Sequence, residues 1–195
     1  MTDTVLTRLR NLLSDRPSVS LESPDRNPAA VLLLVYPKDG DYYIHLQKRA
    51  QHLERHGGEA CFPGGTPEAG DGDLLQTALR EAQEEEGIRP EDVTILGQMD
   101  DTLTRTGYAM KVFVGTIPYP YAFKPNPGEV EEVVDVPLKV LQDPSSWREE
   151  ARWQQGKVNI TYAYTFGPHV IYGATANIVG QFLDLMKRVN GNERL

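Results

Sequence analysis

The chain has 195 residues, which fits one domain at roughly 100 to 200 residues per domain. Its 39% hydrophobic and 25% charged residues are typical of globular proteins and exclude disordered and fibrous classes. Because 20 Lys and Arg stand against 28 Asp and Glu, for a net charge of −8, we expect neither nucleic acid nor a membrane surface among its partners.

The first elements are a helix and a hairpin. Apolar residues at helical spacing predict a short amphipathic helix over residues 4–14, which ends before Pro17 and Pro24. A turn signal at residues 38–41 predicts a β-hairpin with strands over 29–36 and 42–47. A glycine-rich loop follows.

The next helix is marked at both ends. Asp73 is its predicted N-cap, Gln76 takes the third position, and Gly87 stops a helix over 74–86. Further strands are predicted over 93–103, 108–117 and 158–166, and a closing amphipathic helix over Gly173–Val189. Interleaved strands and helices predict an α/β or α+β domain over residues 1–195.

The location of the protein is predicted from what the sequence lacks. The N-terminus has no basic start and apolar block of a signal peptide, and the longest apolar run, residues 29–36, has eight residues, whereas a membrane span needs about 20. A single cysteine, Cys61, cannot form an internal disulfide. We therefore expect a cytoplasmic protein, and the sequence allows a homodimer.

The predicted helix over 74–86 ends in four acids. At about 100° per residue, Glu81, Glu84 and Glu85 share one edge beside the apolar stripe. They repel one another and face the negative pole of the helix. One guanidinium, that of Arg80, cannot neutralise four acids, so the pattern predicts a divalent cation, Mg²⁺ or Mn²⁺. The competing interpretation is a solvated acidic face.

The glycine-rich loop is a second feature that favours a bound cation. Gly64 and Gly65 let the backbone approach a phosphate or a metal without interference from a Cβ. Together with the acidic helix they predict metal-assisted attack of water on a phosphoanhydride. Cys61 is predicted to pack rather than to act as a nucleophile, and the histidines lack the spacing of metal ligands.

The segment from Gly65 to Ile88 resembles the Nudix box, G-x5-E-x7-R-E-U-x-E-E-x-G-U with U aliphatic. The positions that fit are Gly65, Arg80, Glu81, Glu84, Glu85, Gly87 and Ile88. Asp71 stands where the box has its first Glu, and eight residues rather than seven separate it from Arg80. The resemblance implies a Nudix α/β/α sandwich with a mixed sheet that uses Mg²⁺ or Mn²⁺ to hydrolyse a nucleotide-linked diphosphate.

Both departures resemble the coenzyme A diphosphatase branch of the Nudix family, as does the FPGG run over residues 62–65. The upstream pattern of that branch is kept at Leu46, Arg49 and Gly58 and lost at His45, Gln47 and Ala50, and near its second Arg lie Glu54 and Arg55. The branch implies that coenzyme A or acyl-coenzyme A is cut to 3′,5′-ADP and 4′-phosphopantetheine. The alternatives are ADP-ribose or NADH as substrate, and a non-catalytic nucleotide sensor on the same fold.

The resemblance also implies roles for single residues. Glu81 and Glu85 become metal ligands, Glu84 a further ligand or support, and Arg80 the group that orients Glu84. Gly65 would offer its carbonyl to the metal. The general base is assigned to Glu129 within the acidic cluster 128–132, with Glu131 and Glu132 as alternatives.

Substrate binding is assigned to a basic cluster. Lys48, Arg49 and Arg55 lie just before the glycine loop of an otherwise acidic protein, where they would face a diphosphate and a 3′-phosphate. Gly64 is predicted to bind the substrate through its backbone. The competing interpretation is an ordinary basic strand end.

Overall fold

The computed structural model describes residues 4–21, 25–154 and 156–191. Pro24 and the two ends of the predicted domain, 1–3 and 192–195, lie outside the described residues. The helices are α1 (Thr4–Asp15), α2 (Leu74–Glu86), α3 (Leu138–Gln142) and α4 (Gly173–Val189). The strands are β1 (Asn27–Lys38), β2 (Asp41–Arg49), β3 (Ala60–Cys61), β4 (Gly64–Gly65), β5 (Thr94–Gln98), β6 (Thr102–Leu103), β7 (Tyr108–Thr116), β8 (Val130–Pro137), β9 (Trp147–Gln154), β10 (Lys157–Phe166) and β11 (His169–Ile171).

The main sheet is mixed and is built around β1. Strand β1 pairs with β2 in antiparallel and with β7 in parallel orientation. Beyond them, β5 and β6 pair with β7, whereas β3 and β8 pair with β2, and β4 adds to β1. Strands β9, β10 and β11 form a separate antiparallel sheet. The hairpin of β1 and β2 is confirmed.

Strand β1 is buried on both faces, which explains its long apolar run. Leu32 and Leu34 belong to the apolar cluster that contains Ala78 and Ala82 of α2. Leu33, on the opposite face, belongs to the cluster that includes residues of α1 and α4. Helices therefore cover both faces of the sheet, and the predicted α/β/α sandwich is confirmed. In the described part of the chain no helix is long and apolar enough to cross a membrane.

Helix α2 has the predicted bounds and ends. The Asp73 carboxylate accepts a hydrogen bond of 2.8 Å from the Gln76 amide. At the other end Gly87 adopts a φ of 67°, and its N–H donates to the Gln83 carbonyl. The predictions of α1 and α4 are confirmed as well.

The structure differs from the predicted strands in two places. The single strand predicted over 93–103 is two strands, β5 and β6, because Gly97 lies in a bulge opposite β7 and the chain leaves the ladder before Thr102. A Cβ at Gly97 would lie 2.6 Å from the Leu13 Cβ of α1, so the close approach of α1 requires glycine there.

The second difference concerns the acidic cluster 128–132, which lies outside the strands predicted from the sequence. Its last three residues begin β8, which lies along β2 with Lys48 opposite Glu132 and Arg49 opposite Val130. Buried Val130, Val134 and Val136 fix this strand in the core. Residues 118–157, to which the sequence analysis assigned no structure, therefore contain β8, α3 and β9.

Candidate functional site

The glycines of β4 bring the backbone against two acids of α2. A Cβ at Gly65 would lie 2.3 Å from Oε1 of Glu81, and a Cβ at Gly64 would lie 2.2 Å from the Ala30 carbonyl oxygen. The Gly64 N–H donates to Oε2 of Glu85 at 3.0 Å. Glycine is therefore required at position 64 by the backbone of β1, whereas a Cβ at position 65 would displace the Glu81 carboxylate of α2.

Glu85 is the more buried of these two acids, with 4% of its side chain exposed. Nη1 of Arg49 lies 3.5 Å from its Oε1. Burial raises the pKa of Glu85 to about 7, against the opposing effects of the Gln47 amide, the Gly64 N–H and the Arg49 charge. The protein thus supplies hydrogen-bond donors and a positive charge to Glu85. These do not fully offset the cost of removing its carboxylate from water.

Glu81 is partly buried and lies in a negative field. Its Oε1 is 3.1 Å from Nη2 of Arg80, and 19% of its side chain is exposed. Burial raises the pKa of Glu81, and the negative charges of Glu84 and Glu129 add to the rise against the opposing charge of Arg80. Extra positive charge at this point would be favourable.

Arg80 binds both the loop that precedes α2 and the acidic edge of α2. Its Nη1 donates to Glu84 at 2.8 Å, its Nε to Oδ1 of Asp71 at 3.1 Å, and its Nη2 to the Thr66 carbonyl at 3.1 Å. The hydrogen bonds that Asp71 accepts from Arg80, from the Glu68 N–H and from Thr77 lower the pKa of Asp71 to about 2. The departure from the box at Asp71 therefore preserves a carboxylate that holds Arg80. Glu84 is 54% exposed, and its carboxylate is paired with Arg80.

The fourth acid, Glu86, lies in a buried cluster that the sequence analysis missed. Its Oε2 lies 2.5 Å from Nε2 of His45, and both side chains are fully buried. Nδ1 of His45 lies 3.3 Å from Asp135, which also accepts from the Tyr36 hydroxyl and from Lys38. Burial opposes protonation of His45, but its bonds to Asp135 and Glu86 outweigh that effect and raise its pKa to about 9.

Of the four acids of α2, Glu86 therefore has its counter-charge within the protein rather than from a divalent cation. His45 supplies its counter-charge from 41 positions away in the sequence, and Arg80 binds Glu84. The spacing of residues along the sequence gave no signal for this partner, because His45 lies on β2 and Glu86 on α2. Glu81 and Glu85 are left as the incompletely compensated pair.

The three candidate bases take different positions. Glu131 accepts a bond of 2.7 Å from Lys48, and Glu132 lies 3.6 Å from Nε2 of His169. Glu129 is half-buried, and its charge acts on Glu81. The charge of Glu129 thus reaches an acid of α2.

The predicted basic cluster is dispersed. Lys48 pairs with Glu131, whereas Arg49 reaches Glu85 and has a buried Nε without a hydrogen-bond partner in the described residues. Arg55 is exposed in the turn after β2, and the described part of the chain shows no ion pair for it. The structure brings Arg49 to the acidic edge and leaves Arg55 outside it.

The donor set suits a cation that keeps part of its water shell. In residues 4–21, 25–154 and 156–191, no three His, Cys, Asp or Glu side chains converge as a closed cage. Mg²⁺ is commonly held by one or two carboxylates together with substrate phosphates and waters. Glu81 and Glu85, against a backbone cradle that a Cβ at Gly65 would fill, match that requirement.

Cys61 is not an activated nucleophile. Burial raises the pKa of its thiol to about 12, and the nearby charge of Glu85 adds to the rise. Its Sγ lies 3.9 Å from Nε2 of Gln47. A thiol with so high a pKa carries little thiolate at neutral pH, in agreement with the packing role predicted from the sequence.

Comparison with known proteins gives one family. The NUDIX domain model matches residues 26–158. Two relatives, both described as uncharacterized Nudix hydrolase NudL, come from Photorhabdus laumondii and Salmonella heidelberg. The first is 34% identical over 159 residues, covering 82% of this chain and 84% of the relative. The second is 31% identical over 166 residues, covering 84% and 85%.

Solved structures agree on the fold. A Nudix hydrolase from M. smegmatis, RenU, is 25% identical with a TM-score of 0.51, covering 60% of this chain and 74% of that one. A MutT/nudix family protein from Enterococcus faecalis is 14% identical with a TM-score of 0.53, covering 91% and 71%. The second likeness extends the shared fold over most of the chain.

Proposed function

The chain belongs to the Nudix family of hydrolases, which act on pyrophosphate bonds, and from that premise we propose that it cleaves coenzyme A or an acyl-coenzyme A. The products would be 3′,5′-ADP and 4′-phosphopantetheine or its acyl form. The observation that carries the hydrolytic reaction is the pair Glu81 and Glu85, incompletely compensated against the backbone of Gly65. Coenzyme A is favoured by the FPGG run and by Arg49 beside that pair.

Glu81 and Glu85 would hold a divalent cation, Mg²⁺ or Mn²⁺, with help from the Gly65 carbonyl. When bound, the cation supplies positive charge to the diphosphate oxygens. Arg80 keeps Glu84 beside Glu81 as a support. The reaction joins a water oxygen to one phosphorus, passes the water proton to the Glu129 carboxylate, and breaks the bridging P–O bond.

Arg49 is the proposed phosphate ligand from the chain. Its buried Nε lacks a partner among the described residues, and its Nη1 reaches no closer than 3.5 Å to Glu85. The guanidinium therefore has donors to offer a phosphate. Lys48 is engaged by Glu131, and the Gly64 N–H by Glu85, so Gly64 contributes by holding Glu85 in place.

The non-catalytic sensor is the weaker alternative. A nucleotide sensor has no need for three acids on one helix edge, yet Glu81, Glu84 and Glu85 are all present, and burial of Glu81 and Glu85 costs free energy. A homodimer and a cytoplasmic location stay predictions from the sequence.

The test is a product assay. The purified protein is incubated with Mg²⁺ or Mn²⁺ and coenzyme A, dephospho-coenzyme A, ADP-ribose, NADH or diadenosine polyphosphates, and products are identified by mass spectrometry. We expect 3′,5′-ADP from coenzyme A, abolished by a chelator. Absence of metal-dependent product across the panel would contradict hydrolysis, and preference for ADP-ribose or NADH would contradict the coenzyme A assignment.

Arg49→Ala tests how the substrate is recognised. Loss of a charge-assisted bond should lower kcat/KM for coenzyme A by about tenfold, and less for dephospho-coenzyme A if Arg49 binds the 3′-phosphate. An equal loss for both substrates would show that Arg49 does not bind that phosphate. The control is Arg10→Ala, which removes an exposed guanidinium from α1 and should leave both values unchanged.

A further inference from the structure

The loop between β7 and β8 closes the carboxyl end of α2. The last carbonyls of a helix have no partner within the helix. Here the Lys124 N–H donates to the Glu86 carbonyl at 2.8 Å, and the Asn126 N–H donates to the Glu85 carbonyl at 2.7 Å. The main chain of this loop is therefore bound to the residue proposed as a metal ligand.

Asn126 also determines the path of the chain that follows it. Its Oδ1 accepts from the Gly128 N–H at 3.0 Å, and its carbonyl accepts from the Glu129 and Val130 N–H groups at 2.9 and 2.8 Å. A side-chain oxygen bound to the N–H two residues later defines an Asx turn. Pro127, inside this turn, restricts the backbone of Asn126 further.

Glu129 is held from its other side by β2. Its carbonyl accepts a bond of 2.8 Å from the Ala50 N–H, next to Arg49. The register between β2 and β8 shifts between Lys48 and Arg49, and such bulges redirect side chains near active sites. Glu129 thus lies immediately before β8, between two fixed backbone points.

We propose that Asn126 is a positioning residue, which ties Glu129 to the end of α2 that carries Glu81 and Glu85. Its main chain fixes the loop on Glu85, and its Asx turn fixes the backbone from which Glu129 extends. The inference rests on the proposed function, because Glu129 has a catalytic task only in hydrolysis. Asn126 itself is exposed, so its side chain serves the turn rather than the core.

Asn126→Ala removes the side-chain acceptor and keeps the main-chain bonds available. Because a small misplacement of a catalytic group is costly, we expect kcat to fall by about tenfold, with KM changed less than about twofold. Asn126→Asp restores the acceptor and should recover kcat to within about threefold. Unchanged kcat in Asn126→Ala would overturn the proposal, as would failure of Asp to recover it.

The chain offers a matched control. Asp143 accepts a bond of 2.8 Å from the Ser145 N–H across Pro144, between α3 and β9, which is the same kind of turn. Asp143→Ala should leave kcat and KM unchanged. A loss equal to that of Asn126→Ala would attribute the effect to general destabilisation and overturn the positioning role.

A double variant shows whether Asn126 acts through Glu129. In a Glu129→Gln background, Asn126→Ala should lower kcat by less than about twofold, because residues that act as a unit are not additive. A full tenfold loss in that background would overturn the proposal.

Hydrogen exchange gives a readout that needs no activity. The Gly128 and Glu129 amides should exchange faster in Asn126→Ala than in the wild type, and at the wild-type rate in Asp143→Ala. If the wild type hydrolyses no diphosphate, the proposed function fails. The exchange rates of these amides would still show whether Asn126 fixes the backbone at Glu129. Equal exchange in the wild type and Asn126→Ala would overturn that role.

Discussion

Replacement of His45 by Leu tests the buried charge pair beneath the site. His45 and Glu86 are both fully buried, with 2.5 Å between Nε2 and Oε2. The substitution leaves the Glu86 carboxylate in the core without a counter-charge. Removal of one partner of a buried pair costs about 3–5 kcal/mol, so we expect that loss in the free energy of unfolding at neutral pH.

The pKa of His45 gives a second estimate of the same size. It rises from 6.5 to about 9 in the folded protein, and one pKa unit corresponds to about 1.4 kcal/mol, so the shift contributes about 3 kcal/mol. Because the folded-state pKa is the higher one, this stability is fully present below pH 6.5. It is lost as the pH rises through about 9.

Urea unfolding at pH 6, 8 and 10 measures both effects. The double variant His45→Leu with Glu86→Leu removes both charges and should be more stable than His45→Leu alone. The advantage of the wild type over the double variant should shrink by about 3 kcal/mol from pH 6 to pH 10. The control is His56→Asn, which removes an exposed imidazole 3.0 Å from Glu59 and should change stability by less than about 1 kcal/mol.

Two results would refute this reasoning. If His45→Leu is as stable as the wild type at pH 6, the Glu86 carboxylate does not need His45. If the difference between the wild type and the double variant stays constant up to pH 10, His45 does not carry the charge.

Three further predictions concern the site. Glu81→Gln and Glu85→Gln should each abolish most metal-dependent turnover. The melting temperature should be unchanged or higher, since each substitution relieves repulsion between carboxylates. Near-normal turnover at saturating Mg²⁺ would show that the substituted residue is not a metal ligand. Glu129→Gln should lower kcat about a hundredfold or more while Mn²⁺ affinity by calorimetry stays nearly the same, and a loss of affinity would instead make it a ligand. Gly65→Ala places a Cβ 2.3 Å from Oε1 of Glu81 and should lower turnover at least tenfold by displacing that carboxylate. The control, Gly70→Ala, places a Cβ with nothing within 4 Å and should leave turnover unchanged. Equal turnover in the two variants would contradict the importance of the close contact at Gly65.

Local patterns predicted the elements that local interactions determine. Helix α2 has its predicted bounds because Asp73 and Gly87 satisfy its ends within a few residues of sequence. The hairpin follows from a turn with Asp39 and Gly40 at positive φ. In the same way, Glu81 and Glu85 could be chosen because positions i and i+4 of a helix share one face.

The parts that the sequence did not reveal depend on pairing between distant segments. In β8 the acids Glu131, Glu132 and Asp135 interrupt the apolar run and favour a loop, although Val134 and Val136 are buried against β2. His45 gave no signal because its partner Glu86 lies on another element and the two meet only after β2 packs beside α2. A buried charge whose partner is distant in the sequence leaves no periodic pattern in the residues around it.

The arrangement at the end of α2 explains how four acids are tolerated next to one another. Glu84 turns to Arg80 and Glu86 turns into the core to His45, so two of the four charges are compensated by the protein itself. Glu81 and Glu85, one helical turn apart, keep an excess of negative charge at the glycine cradle. In the proposed site, this helix end would present the two remaining carboxylates to the cation. Arg80 and His45 are therefore as important to the proposed site as the two carboxylates, since each compensates a negative charge that would otherwise oppose folding.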